Sequence, residues 1–387
     1  GNEKNAEAYK RLVNGESLAD LYESKVLEKE MTKAGQATKD ATQEEKMEAK
    51  REAITAVLDN VKGMPVMNLL RNLRNILLYA PDKVTEACEQ LTIKDKIMNS
   101  RLLPFRFATA YSEIEKMSYY TEISSTKSSI QFEDEKSSSL CSENEFRRNK
   151  EMVLNAIEKA LEISCLNIPK LEGNVAILVD DSGSMRGDAG GSSRVSAFSK
   201  TSTSMIAHLF ASMVMYRQDN VYLGLFGDKL INVPVKRDMR LLDYTKWTFE
   251  KGGECGGATE TGIYDFIRQV VKEKKKIDNV IVFSDCQIGS IHTKGYYNCY
   301  AEFTAWFGND SSDRGKHFHE LFKEFRKINP NANFIVVNLR QSGSTSVFDK
   351  SQRILNIAGW SDKIFDVITS QCKGWDAMIK EIESIEI

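Results

Sequence analysis

The residues best equipped for chemistry lie in one stretch, NVAILVDDSGS at positions 174–184. Its first half, Val175-Ala176-Ile177-Leu178-Val179, is apolar and rich in β-branched types, and a turn signal stops it. That pattern predicts a strand buried on both faces, as in parallel sheets. Open parallel sheets bind ligands beyond the carboxyl ends of their strands. There the stretch carries Asp180, Asp181, Ser182 and Ser184. The spacing Asp180-x-Ser182-x-Ser184 offers one carboxylate and two hydroxyls at alternate positions, oxygen donors that suit a hard divalent ion. Serine is a weak ligand, so further oxygens must come from elsewhere. Two later stretches can supply them: GGATETG at 256–262, a glycine-rich turn ahead of a helix, and NVIVFSD at 279–285, a second buried strand ending in a carboxylate. Taken singly, Asp, Ser and Thr are also common helix caps and turn formers. The argument for a metal rests on the ordered set.

Together the three stretches resemble the metal-ion-dependent adhesion site of von Willebrand factor A domains. The resemblance implies that Asp180, Ser182, Ser184, Thr259 and Asp285 surround one Mg2+ or Mn2+. Hydroxyl ligands leave such an ion electron-poor and able to take an anionic ligand, a carboxylate or phosphate, from a partner. Catalytic groups are missing by motif. There is no G-x-S-x-G elbow, no histidine near Ser182 or Ser184 in any motif, and no phosphate-binding G-x-x-x-x-G-K-[ST] loop. Two-metal nucleases gather several carboxylates in one pocket, whereas hydroxyls dominate here. A binding protein is therefore expected rather than an enzyme, with a metal-dependent nuclease the least favoured reading.

From residue 173 onward strands and helices alternate, as in a doubly wound α/β domain. Strands are expected at 222–226, 230–235, 280–284 and 334–338, with an edge strand at 354–358. Helices are expected at 195–217, 241–251, 261–274, 317–327 and 374–385, a Gly/Ser loop at 183–193 and an insertion at 297–313. In 195–217 the apolar face reads as Val195, Phe198, Met205, Ile206, Leu209, Phe210, Met213 and Val214.

Residues 1–168 read as helical. Helices are expected at 16–33, 42–61, 66–78, 81–91, 94–101, 103–117 and 146–163. Pro65 suits a helix start, where its missing N–H costs nothing. Helix 66–78 has an apolar stripe of Leu69, Leu70, Leu73, Ile76 and Leu77, and a polar one of Asn68, Arg71, Asn72 and Asn75. Residues 118–145 are rich in serine and charge without apolar periodicity, the pattern of a mobile insertion.

MPVMNLLRNLRNIL, followed by SRLLPFRFATAYSEIEK, resembles the helical half of the Ro autoantigen (TROVE) family. Members pair a HEAT-like helical ring with a C-terminal von Willebrand A domain, in the order seen here. The fold class implied is α + α/β: a HEAT-like all-α repeat segment over 1–168, then a doubly wound α/β A domain over 169–387. Ro proteins usually carry well over a hundred further residues of helical repeats before this point, so the resemblance implies an array cut short. Such an array cannot close the same ring unaided. Ro proteins bind Y RNAs and the single-stranded ends of misfolded non-coding RNAs, and bacterial relatives are associated with a 3′→5′ exoribonuclease. Those are the partners implied, with Arg71, Arg74, Lys96, Arg101 and Arg106 as the candidate RNA contacts. Taken without the resemblance, RNA binding and protein scaffolding weigh evenly. The asparagines and Arg71 would serve equally well as ties between helices.

The totals fit this organisation. A chain of 387 residues with 41% hydrophobic and 28% charged content can build two cores. A net charge of −2 argues against a generally basic surface, but not against a local basic patch. No apolar run approaches a membrane span, and the polar opening GNEKNAEAYK is no secretory signal. The odd count of 7 cysteines, none in a C-x-x-C pair, favours the reducing cytoplasm and argues against zinc. The 4 histidines do not suggest a His-based site, and His317 and His319 are expected on the surface.

Overall fold

The computed structural model describes residues 45, 52, 64–119, 141–187, 202–256, 262–286, 313–340, 353–359 and 364–373. The helices expected at 16–33, 42–61 and 374–385 and the insertion at 297–313 lie outside them, save for Glu45, Glu52 and Asp313, which are helical. The chain divides into two compact units, Gly1–Asn167 and Ile168–Ile387. No helix among the described residues is long and apolar enough to cross a membrane.

Among the described residues of the first unit every regular element is helical: α1 (Val66–Tyr79), a 3-10 turn (Pro81–Lys83) leading into α2 (Val84–Leu91), α3 (Lys94–Ser100), α4 (Pro104–Glu115) and α5 (Glu143–Ser164). Pro65 precedes α1 in extended backbone, and its carbonyl accepts from the Asn68 and Leu69 amides. The expected apolar stripe of α1 is buried throughout. The polar stripe behaves differently from a set of inter-helix ties. Asn72 Nδ2 donates to Asn68 O at 2.8 Å and Asn75 Nδ2 to Asn72 Oδ1 at 3.4 Å, both within the helix, while Arg71 is exposed.

The long α5 packs on each of α1 to α4. Lys150 Nζ crosses to the Glu115 and Met117 carbonyls at 2.8 and 2.6 Å, so a cation closes the C-terminal end of α4, where carbonyls lack partners. The expected insertion ends earlier than its composition suggests. Ser142 caps α5 by accepting from the Glu145 amide at 3.2 Å, and Cys141 is buried. The Ser-x-x-Glu spacing of a capping box was the signal, outweighed by the serine-rich surroundings.

The described residues of the second unit form one sheet: β1 (Asn174–Asp180), β2 (Asn220–Phe226), β3 (Leu230–Val233), β4 (Asn279–Ser284), β5 (Asn333–Asn338) and β6 (Ile354–Ala358). Their order is β3-β2-β1-β4-β5-β6. All neighbours are parallel except the edge pair β2–β3, which a short turn joins. All residues of β4 and β5 are buried, which is why they read as continuous apolar runs. The described residues of this unit also form helices α6 (Gly183–Arg186), α7 (Thr203–Arg217), α8 (Leu241–Gly252), α9 (Gly262–Glu273), α10 (Asp313–Ile328) and α11 (Ile364–Lys373). On one side of the sheet Phe226, Phe266, Phe325 and Phe334 join Ala176, Leu178, Val280 and Val282 in the core.

Three local readings change. The start of the expected Gly/Ser loop is the helical turn α6, while 188–193 lie outside the described residues. The helix expected from 195 begins at Thr203, because Ser202 is extended and its hydroxyl accepts from the Met205 amide at 3.1 Å; 195–201 are not among the described residues. Helix α11 was not anticipated. The apolar face expected in α7 also misses part of what is buried. Thr203, Ser204, His208 and Ser212 are all buried, while Met205, Ile206 and Leu209 are only half-buried.

Candidate metal centre

The sheet order puts the two candidate strands side by side. β1 runs parallel to β4 with Val179 opposite Phe283, so both end at the same level. The chain leaves β1 toward β2 on one side and reaches β4 on the other, which makes the β1/β4 crevice a topological switch point. Asp180 and Asp285 meet there, each 0% exposed. Ser284 Oγ donates to Asp180 Oδ2 at 2.5 Å, and the Ser182 amide donates to Asp180 Oδ1 at 2.9 Å. The Ser182 and Ser184 hydroxyls are 3.2 Å apart on the turn opening α6. Burial first, and then the nearby Asp285 charge, push the Asp180 carboxyl up to about 7. Thr259 lies outside the described residues.

The next residue serves a different purpose. Asp181 is buried, and its amide donates to Phe226 O at 2.8 Å, extending the β1–β2 ladder by one residue. Its Oδ1 accepts from Arg186 Nη1 at 2.7 Å, Ser204 Oγ at 2.8 Å and His208 Nε2 at 3.0 Å. Arg186 also donates to Phe249 O at 2.8 Å and lies over the Phe249 ring at 4.1 Å. Gly252 permits this approach, since a Cβ there would fall 2.1 Å from Asp181 Oδ2. A carboxylate so occupied is bound into the scaffold, which explains why the second of two adjacent aspartates is no candidate ligand.

A histidine belongs to the same scaffold. His208 is 27 residues from Asp181 in sequence but bonded to it in the fold. It forms no Ser-His-Asp relay: Nε2 faces Asp181 and Nδ1 faces Thr248 Oγ1 at 3.0 Å, so neither nitrogen is left for Ser182 or Ser184. Ser204, His208 and Ser212 stand at i, i+4 and i+8 in an otherwise apolar helix, the signal that marks them. The side chains of His317 and His319 lie outside the described residues. Ser284 and Arg340, whose Nη1 stands 3.4 Å from Asp285 Oδ2, were also missed.

The donor set fits a hard divalent cation. Two buried carboxylates of like charge, with hydroxyls beside them, call for positive charge and offer only oxygen. Among the described residues no group of three or more His, Cys, Asp or Glu side chains is arranged to hold a metal. The combination here, carboxylates with hydroxyls, is of another kind. Burial pushes the Cys255 thiol up to about 12, and burial, with Asp285 next, raises that of Cys286.

Four of the five candidate RNA contacts of the first unit are exposed. Arg71 and Arg74 are exposed three residues apart on α1. Arg101 is exposed and closes α3 in the left-handed conformation, φ 51°. Arg106 is exposed with its guanidinium 5.9 Å from the Phe105 ring centre. Lys96 is half-buried and donates to Gln90 Oε1 at 2.6 Å; burial lowers its pKa.

Comparison with known proteins bears on both units. Residues 47–173 match the family model of the TROVE domain. Among solved structures the chain is similar to that of the Deinococcus radiodurans Ro (RSR) protein, with a TM-score of 0.51 and 17% identity. The match covers 83% of this chain and 55% of that one, so the chain spans about half the length of that protein. At this identity the likeness is one of fold: a helical segment followed by a six-stranded sheet with helices. No curated protein matches the sequence. The likeness in sequence is carried by residues 47–173, which are similar to the TROVE domain of Ro proteins.

Proposed function

We propose that the chain is a Ro-like, RNA-binding ribonucleoprotein subunit that acts by binding rather than by catalysis. The TROVE domain at 47–173 carries this reading. Structured or misfolded non-coding RNA of the Y RNA kind is the ligand proposed for the helical unit, with Arg71, Arg74, Lys96, Arg101 and Arg106 as contacts. Exposed arginines suit phosphate contact, since the guanidinium offers paired donors. The α/β unit is read as a von Willebrand A domain. Asp180, Ser182, Ser184 and Asp285, with Thr259, would hold one Mg2+ or Mn2+, which supplies a Lewis-acidic position for an anionic group of a partner such as an exoribonuclease. The protein's own residues orient the site: Ser284 holds Asp180, and Asp181 anchors the ligand turn. The reading places the protein in the cytoplasm.

Purification of the intact chain with sequencing of co-purified RNA tests the first half. Enrichment of structured non-coding RNA is expected, and its absence, together with no filter binding of such RNA at low salt, sinks that half. Calorimetric titration with Mg2+ and Mn2+ tests the second. One observation favours an alternative, a protein-interaction A domain without an RNA role. The α/β site is built from buried, bonded groups, whereas the candidate RNA contacts are mostly exposed.

A further inference from the structure

Asp285 has a cationic neighbour of its own. β5 ends at Asn338, and three hydrogen bonds fix the backbone just beyond it. Leu339 N donates to Ser284 O at 2.9 Å, Gly359 N to Asn338 O at 2.7 Å, and Arg340 N to Asn338 Oδ1 at 3.1 Å. The Arg340 guanidinium is thereby brought 3.4 Å from Asp285 Oδ2. Arg186, another guanidinium in this unit, is held differently. It sits at 2.7 Å from Asp181, donates to a backbone carbonyl and stacks on a ring, so it is locked onto a carboxylate outside the candidate ligand set. Arg340 has a longer contact with a carboxylate inside that set, and its side chain is 23% exposed.

We propose that Arg340 is an affinity-setting residue of the metal centre, competing with the divalent cation for Asp285. The inference rests on the metal reading above. A carboxylate oxygen that faces a guanidinium has less lone-pair density to offer a metal. Two positive groups sharing one carboxylate also repel each other, most strongly where burial excludes water. Ion binding must pull Asp285 away from Arg340 or tolerate that repulsion, and either route weakens uptake. Removing the charge at 340 therefore tightens metal binding, the opposite of what loss of a supporting contact would do.

The test titrates MgCl2 and MnCl2 separately into the intact chain by calorimetry at low ionic strength, with unfolding temperatures measured alongside. Arg340→Gln is expected to bind about tenfold more tightly than wild type, an electrostatic effect of one nearby charge in a partly shielded site. Arg340→Lys keeps the charge and is expected to stay close to wild type. Arg340→Met repeats the neutral comparison should the Gln variant fold poorly. Equal or weaker binding in a folded neutral variant overturns the inference and leaves the metal reading standing. If the wild-type chain takes up neither ion, or Asp180→Ala takes up as much, the metal reading falls and this inference with it.

Discussion

The two units carry their candidate chemistry in opposite ways. In the α/β unit Asp180, Asp181 and Asp285 are buried, and each is met by named donors or a counter-ion. In the helical unit Arg71, Arg74, Arg101 and Arg106 are exposed. Burying a charge is costly unless it is paired, so the first arrangement exists only because many contacts enforce it. Exposed arginines on helices cost little and are common, so their surface position carries far less information. A buried polar constellation thus argues for a site by itself, while an exposed basic surface needs a bound ligand to become one.

The largest effect should come from the anchor of the ligand turn. Asp181→Ala removes the carboxylate that Arg186, Ser204 and His208 all face. A cost of about 3–5 kcal/mol in unfolding free energy is expected, because a half-buried guanidinium and the buried Ser204 and His208 all lose their shared partner. Urea denaturation measures it, and a cost within the range of surface substitutions would erase the contrast between the units. Asp180→Ala should act oppositely. Mg2+ and Mn2+ uptake is lost in calorimetry while the fold persists, since the substitution relieves a desolvated carboxylate facing another.

The exposed side of the comparison predicts function without stability. Replacing Arg71, Lys96, Arg101 and Arg106 with Gln should weaken RNA binding and flatten its salt dependence by about 0.7–0.9 per lost phosphate contact. Filter binding over a salt series reads the slope. The unfolding midpoint should barely move, because the three arginines are exposed and the Lys96 hydrogen bond to Gln90 is only part-buried. An unchanged slope would remove these residues from the interface. The smallest effect serves as calibration. Ser142→Ala and Ser202→Ala each delete one helix cap and should cost about 1 kcal/mol, one in each unit. Unequal costs would show that the units differ in local rigidity as well as in how they hold charge.

Much of the α/β unit was legible because buried parallel strands are written as apolar runs. β1 and β4 fall within a residue or two of where those runs place them, and the edge strand Ile354–Ala358 matches its expected range. Periodicity did less well in α7, where serine and histidine are buried and parts of the apolar face are not. A polar residue is read as exposed unless its buried partner is known, and the partners here are Asp181 and Thr248. The capping serines were readable in principle. Ser142 was hidden by a serine-rich neighbourhood, and Ser202 by an apolar pattern that continues on both sides of it.

Sequence alone determined which residues carry oxygen donors at strand ends, because Asp180-x-Ser182-x-Ser184 and the Ser284-Asp285 terminus are local features. Tertiary structure alone decided which of them meet. The sheet order lays β4 beside β1, so Ser284 reaches Asp180 across 104 residues. It also brings Arg340 to Asp285 across 55 residues and His208 to Asp181 across 27. Such pairings depend on strand register and helix packing, which no spacing within a single stretch encodes. They decide that, of two adjacent aspartates, Asp180 faces the candidate centre and Asp181 holds the turn in place.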